Sequence, residues 1–169
     1  MFCILISMGP DYFCISYLQK LDLMKAVAYN IKEYEKESLA VANGKAHDLT
    51  LISNPLNSNT IHYAYGKEVV VVSEDDLLDG KLLEELRHIG VQKIVTRSIA
   101  TDHIDLSRAY DLGIQIANTP YADRTPKGIA EQTIRNLNLW GDGKCVGGAC
   151  CCAKECEIVN GKLRYDGAK

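Results

Sequence analysis

With 169 residues, 47% of them apolar and 24% charged, the chain can build one ordinary domain around a packed core. Its net charge of −3, with no long basic run, excludes a nucleic-acid footprint, and no apolar stretch approaches the ~20 residues that cross a bilayer. Cysteines sit only at the ends: Cys3 and Cys14 early, Cys145, Cys150, Cys151, Cys152 and Cys156 late. A disulfide-stapled secreted domain spreads its cysteines through the fold, so this spacing predicts a reducing, cytoplasmic setting.

Residues 1–23 carry a short apolar run, Phe2 to Ile6, cut by Gly9-Pro10 and preceded by no basic segment. That is a poorly formed signal peptide. The expectation is a leader or upstream-start extension, with Met24 as the functional start. A first strand follows at Met24–Tyr29, then a helix from Glu33 to Ala42 stopped by Asn43-Gly44. Asp48 to Ile52 is a second strand, broken by Asn54-Pro55, and Ser58 is placed to cap a short helix through Tyr65. Glu68 to Val72 is apolar on successive residues, as a strand covered on both faces must be.

Leu77 to His88 reads as a helix with Leu78, Leu82, Leu86 and Ile89 as its inward stripe and Gly90 as its stop. Lys93–Thr96 is the fourth strand. It runs into a polar loop, Arg97 to Thr101, and Asp102 can cap the helix that follows over Asp105–Leu112. Gly113 closes that helix, and Ile114–Ala117 is the fifth strand. Gly128 to Trp140 is a last amphipathic helix, with Ile129, Ile134, Leu137 and Trp140 on or near one face. Beyond it, Ile158 to Tyr165 could form a hairpin turning at Asn160-Gly161.

Five β/α units with short apolar strands predict a doubly wound, parallel five-stranded sheet with helices on both faces. The predicted divisions are a leader (1–23), one α/β domain (24–140), and a Cys-rich tail (141–169). In such folds a strand that delivers a loop and then a helix start leaves backbone N–H groups for an anion. The stretch from Lys93 to Leu106 has that form.

Thr96-Arg-Ser-Ile-Ala-Thr-Asp-His-Ile-Asp-Leu106, with Leu112-Gly-Ile114 and Ile116-Ala-Asn118 before Pro120, resembles the D-isomer-specific 2-hydroxyacid dehydrogenases, in particular their D-lactate dehydrogenase branch. The likeness covers about residues 24–140. It implies a flavodoxin-like substrate domain whose Ser-x-Gly loop holds a substrate carboxylate through backbone amides, here at Ser98, Ile99 and Ala100. The family's glycine is Ala100 in this chain, and a Cβ there restricts close backbone approach.

The resemblance also implies NAD as the parent cofactor, a small 2-keto or 2-hydroxy acid as substrate, and a homodimer or a separate nucleotide-binding partner. The family's Rossmann unit, with Gly-x-Gly-x-x-Gly and the catalytic Arg, Glu and His, is not recognisable. Gly141-Asp-Gly143 is followed by Val146 where a third glycine should stand. The expectation is therefore a truncated dehydrogenase, inactive alone, with no catalytic or cofactor-binding residue assigned. Two alignments of the last helix compete. Thr125 to Glu131 resembles the start of the family's crossover helix, and Ile129 to Lys144 its final helix. The second is preferred, because the Asn-Leu-x-x-Trp ending and Cys-bearing tail look like a chain terminus.

Of the remaining candidates, Arg97 either faces the cleft or ties the loop down, and the residue types leave both open. His103, Asp102 and Asp105 read as structural. His47, His62 and His88 have no partner at helical spacing and are expected at or near the surface. Tyr63, Tyr65 and Tyr121 are expected to pack, while Tyr29, at the end of the first strand, is a cleft candidate. Cys145, Cys150, Cys151, Cys152 and Cys156 supply enough thiolates for Zn or an Fe–S cluster, although their spacing matches neither a zinc ribbon nor a plant-type ferredoxin. An oxidation-prone tail is the favoured reading, and a metal-handling module the alternative.

Overall fold

The structure is a computed structural model that describes residues 23–151. The leader before Leu23, Cys152, Cys156 and the expected hairpin at Asn160-Gly161 lie outside those residues. Five strands, β1 (Lys25–Ala28), β2 (Asp48–Leu51), β3 (Val69–Val72), β4 (Lys93–Thr96) and β5 (Gln115–Ala117), form one sheet in the order β2-β1-β3-β4-β5. Every pairing is parallel. This is the flavodoxin-like order, and its switch point lies between β1 and β3.

The four helices are α1 (Glu33–Asn43), α2 (Gly80–His88), α3 (Leu106–Asp111) and α4 (Pro126–Gly141). Alternate residues of β3 go to opposite layers. Val69 and Val71 join Leu39 of α1 and Ile134, Leu137 and Trp140 of α4. Val70 and Val72 join Leu82, Leu83 and Leu86 of α2 and Ala109 of α3. All four valines are fully buried, which is why this strand shows no polar alternation.

Several boundaries differ from the sequence expectation for identifiable reasons. Leu77 is 70% exposed, and α2 starts only at Gly80. Leu78 is held extended in a parallel bridge with Ile104: its N–H reaches His103 O at 2.8 Å, and Asp105 N–H reaches Leu78 O at 3.0 Å. That bridge delays both helices. Asp79 Oδ1 then caps α2 through Leu82 N–H at 2.8 Å. Asp105, not Asp102, caps α3 through Arg108 N–H at 2.9 Å.

The short helix expected from Ser58 is one 3-10 turn, Ile61–Ala64. The hydroxyl that serves the preceding turn is that of Thr60, which accepts from Asn57 N–H. Thr125-Pro126 starts α4 two residues before Gly128, with Thr125 Oγ1 accepting from Gly128 N–H at 3.1 Å and proline at the first position.

The domain boundary expected at residue 140 falls short of the folded body. Val146 and Ala149 are buried beside α4. Residues 149–151 then run antiparallel along the outer edge of β5, with Asn118 N–H on Ala149 O and Cys151 N–H on Ile116 O, each 2.9 Å. Cys150 packs toward one helical layer and Cys151 toward the other. This strap covers a ladder that β5 would otherwise present to solvent.

Candidate functional site

The carboxyl ends of β1, β3, β4 and β5 converge on the loops at Asn30, Ser73, Arg97–Thr101 and Asn118–Tyr121. Parallel strands end in outward-pointing carbonyls, so a site here depends on which of those oxygens are already taken.

Arg97 settles its own ambiguity. Its side chain is only 4% exposed and turns toward β1: Nη1 donates to Tyr29 O at 3.1 Å and Nη2 to Asn30 O at 3.2 Å. Nε lies 3.3 Å from Glu35 Oε1, an ion pair without hydrogen-bond alignment. Glu35 Oε2 also accepts from Lys32 N–H at 2.8 Å, so one carboxylate serves the start of α1 and the arginine. Burial pulls the Arg97 pKa below its ordinary value, and Glu35 opposes that shift. Arg97 ties the end of β1 to the end of β4.

Tyr29 does not line a cleft. It is fully buried, its hydroxyl donates to Thr60 O at 3.1 Å, and burial pushes its pKa well above the usual phenol range. Next to it stands Asn30, 7% exposed and at φ 54°, a left-handed conformation that asparagine tolerates better than most residues. Its amide donates to Ser73 Oγ, and Ser73 donates in turn to the buried Asp76 carboxylate. Nothing in the local sequence pattern singles out Asn30 or Asp76; their roles come from the meeting of β1 with β3.

The loop after β4 has a marked polarity. Ser98 is buried, its N–H goes to Thr96 Oγ1 at 3.3 Å, and its hydroxyl closes a turn on Ala100 O. Every carbonyl from Arg97 to Ala100 has a donor. Arg97 O takes Arg124 Nη2, Ser98 O takes the N–H and hydroxyl of Thr119, Ile99 O takes Asn118 Nδ2, and Ala100 O takes Ser98 Oγ. The N–H groups of Ile99 and Ala100 have no acceptor among the described residues, and both residues are exposed. The loop thus presents donors outward with its acceptors satisfied, which suits an anion. Ala100 is not at positive φ, so its Cβ imposes no backbone strain on this arrangement.

His103 is a support. Its Nε2 is 2.9 Å from Thr96 Oγ1, and burial lowers its pKa, with Asp76, Glu74 and Asp102 opposing. His47, expected near the surface, is 6% exposed: Nδ1 accepts from Met24 N–H, so Nε2 carries the proton toward Asn138 Oδ1 at 2.9 Å. Tyr63, Tyr65 and Tyr121, expected to pack, are 44%, 64% and 48% exposed. Among the described residues no group of three or more His, Cys, Asp or Glu could hold a metal, Cys145, Cys150 and Cys151 included. No described helix is long and apolar enough to cross a membrane.

The start of α1 is poorly suited to a pyrophosphate. The β1–α1 turn has no glycine, and Glu33 and Glu35 occupy the first turn of α1 where a pyrophosphate would sit. The loop after β3 carries Glu74, Asp75 and Asp76.

The sequence profile of the family described as D-isomer specific 2-hydroxyacid dehydrogenase, catalytic domain, matches residues 25–148. A 2-hydroxyacid dehydrogenase homolog of Haemophilus influenzae is 33% identical over 112 residues, covering 66% of this chain and 33% of that protein. The D-lactate dehydrogenase of Escherichia coli K12 is 31% identical over the same length, with the same coverage. The apo-structure of D-lactate dehydrogenase from Escherichia coli superposes with a TM-score of 0.57 at 31% identity, over 59% of this chain and 32% of that one. The chain spans about a third of the length of these relatives. The match over the whole sheet and the donor loop after β4 together show that the chain belongs to the D-isomer-specific 2-hydroxyacid dehydrogenase family, in the region of its catalytic domain.

Proposed function

We propose that this chain binds the carboxylate of a small 2-keto or 2-hydroxy acid on the N–H groups of Ile99 and Ala100, and that it does not by itself transfer hydride. The observation that carries the reading is the loop's polarity: its four carbonyls are occupied, and the N–H groups of its two exposed residues have no acceptor among the described residues. Ser98 holds the turn and donates to Ala100 O, so its part is to shape the loop, not to contact the ligand. The substrate class follows from relatives named D-lactate and 2-hydroxyacid dehydrogenase.

NAD is the family's coenzyme, and reduction of a keto acid needs its hydride. The acidic start of α1 and the acidic β3 loop at this end do not suit its pyrophosphate. The nucleotide-binding half then comes from elsewhere in a longer chain or from a separate protein.

Titration of the 15N-labelled protein with pyruvate tests the binding. The Ile99 and Ala100 amide resonances should move together and saturate, and unmoved resonances would refute it. NADH oxidation by the pure chain with pyruvate tests the second part. No turnover is expected, and catalytic turnover would overturn it.

A further inference from the structure

Arg124 lies in the segment between β5 and α4, within the matched region but after the Thr96–Pro120 motif that carries the sequence likeness. Its guanidinium reaches back onto the donor loop: Nη1 donates to Thr119 O at 2.6 Å and lies 3.3 Å from Thr119 Oγ1, and Nη2 donates to Arg97 O at 3.0 Å. It therefore spans the carboxyl ends of β4 and β5, beside the peptide that leads into Ser98. Thr119 is fully buried and gives both its N–H and its hydroxyl to Ser98 O, so the anchor beneath the arginine is rigid.

Guanidinium has five N–H donors, and these three contacts leave two of them, Nε–H included, for another partner. Arg124 is exposed. Arg97, the other arginine of this loop, is buried and spent on β1 and Glu35. The carboxylate adjoining Arg124 in sequence, Asp123, accepts from Thr125 N–H at 2.9 Å and Thr125 Oγ1 at 2.7 Å, which commits it to the α4 cap. Asp102, at the far end of the loop, is exposed and opposes an anion.

We propose that Arg124 is a substrate-binding residue of this chain: it cancels the carbonyl charge at the ends of β4 and β5 and offers its two remaining N–H groups to the carboxylate held by Ile99 and Ala100. The assignment rests on the carboxylate-binding reading of the loop and adds the one cation that the described residues bond to it. An exposed guanidinium bonded to this loop at Arg97 O favours a carboxylate over a neutral carbonyl compound, so Arg124 selects for the acid.

The test is a pyruvate titration of 15N-labelled wild type and Arg124→Gln, read at Ile99, Ala100 and the Arg124 Nε–H resonance. In the wild type the Nε–H should shift with the same midpoint as the two amides. In Arg124→Gln the amides should still move, with affinity about tenfold weaker, the size of one charge-assisted hydrogen bond. Added salt should weaken wild-type binding more steeply than it weakens the variant. Arg124→Lys, which keeps the charge without the fork, should fall between the two.

Equal affinity in wild type and Arg124→Gln, or a still Nε–H resonance while the amides saturate, overturns the role of Arg124 and leaves the loop reading intact. Unmoved amides in the wild type overturn the loop reading and this one with it. The Nε–H signal is measured on the native chain, so the proposal is decided even if the glutamine variant does not fold.

Discussion

Replacing Arg97 with methionine removes a buried cation while keeping much of its aliphatic volume. Two carbonyls at the end of β1, Tyr29 O and Asn30 O, lose donors at 3.1 and 3.2 Å. Glu35, whose side chain is 15% exposed, loses its counter-ion and keeps Lys32 N–H. Deleting one partner of a buried pair costs about 3–5 kcal/mol, because the remaining charge is left uncompensated. Against a typical domain stability of roughly 5–15 kcal/mol, that is a large fraction. Glu35→Gln keeps an acceptor for Lys32 N–H but leaves the Arg97 cation, still on its two carbonyls, without a counter-ion, so a loss of about 3–5 kcal/mol is expected here too. In the double variant the losses should fall short of additive by about 1–3 kcal/mol, since both singles break one contact. Urea unfolding followed at Trp140, the chain's one tryptophan and 8% exposed, gives all three values. A cost under about 1 kcal/mol for Arg97→Met, or strict additivity, would refute the picture of a buried tie between β1 and β4.

Three further outcomes follow from the geometry. Burial lowers the pKa of His103, so below the ordinary imidazole value of about 6.5 the unfolded chain binds a proton that the folded chain resists. Stability should therefore drop as pH falls through that range, and His103→Gln should flatten this acid slope in denaturation curves at pH 5 to 7; an unchanged slope would contradict the assignment. Asp79→Ala removes the acceptor of Leu82 N–H at the start of α2 and should cost about 0.5–2 kcal/mol, while Asp102→Ala, which caps no helix, should cost less than half of that in the same assay. Gly128→Ala would gain up to about 1 kcal/mol of helix propensity, but its Cβ would sit 2.6 Å from Asp123 Oδ2 and displace the Thr125 cap. It should lower the melting temperature in the native background and raise it only in Asp123→Gly, because Asp123 Cβ itself would lie 2.7 Å from the new methyl; a rise in the native background would show that the clash does not matter.

The sheet was legible because its strands are short apolar runs and because Val69–Val72 must be covered on both faces. The donor loop was legible as a strand, loop and helix start that leaves N–H groups for an anion, and likeness to a family motif narrowed it to Ser98, Ile99 and Ala100. What escaped the sequence depends on long-range bonds. The Leu78–Ile104 bridge joins residues in different units and resets the start of two helices, which is why Leu77 and Asp102 were misplaced. Arg124 looks like an ordinary loop residue until it is seen donating to Arg97 O, and the motif that includes Asn118 does not reveal that its amide reaches Ile99 O. His47 reads as a surface residue because its partners, Met24 and Asn138, are distant in sequence. The strap over β5 has three residues and no periodicity, so pattern alone does not reveal it.

That strap also limits how copies of this sheet can polymerise. Stacking by strand addition into an open fibre needs two free ladders per copy, one to give and one to receive. Residues 149–151 occupy the β5 side, which leaves β2, with Asp48 joined to Lys67 at 3.0 Å, as the exposed rim among the described residues. Among the described residues, pairing through β2 therefore meets no covering segment, whereas pairing at β5 must first displace the strap. A few backbone hydrogen bonds near Cys150 thus stand between β5 and strand addition, and stripping the strap away would open that side.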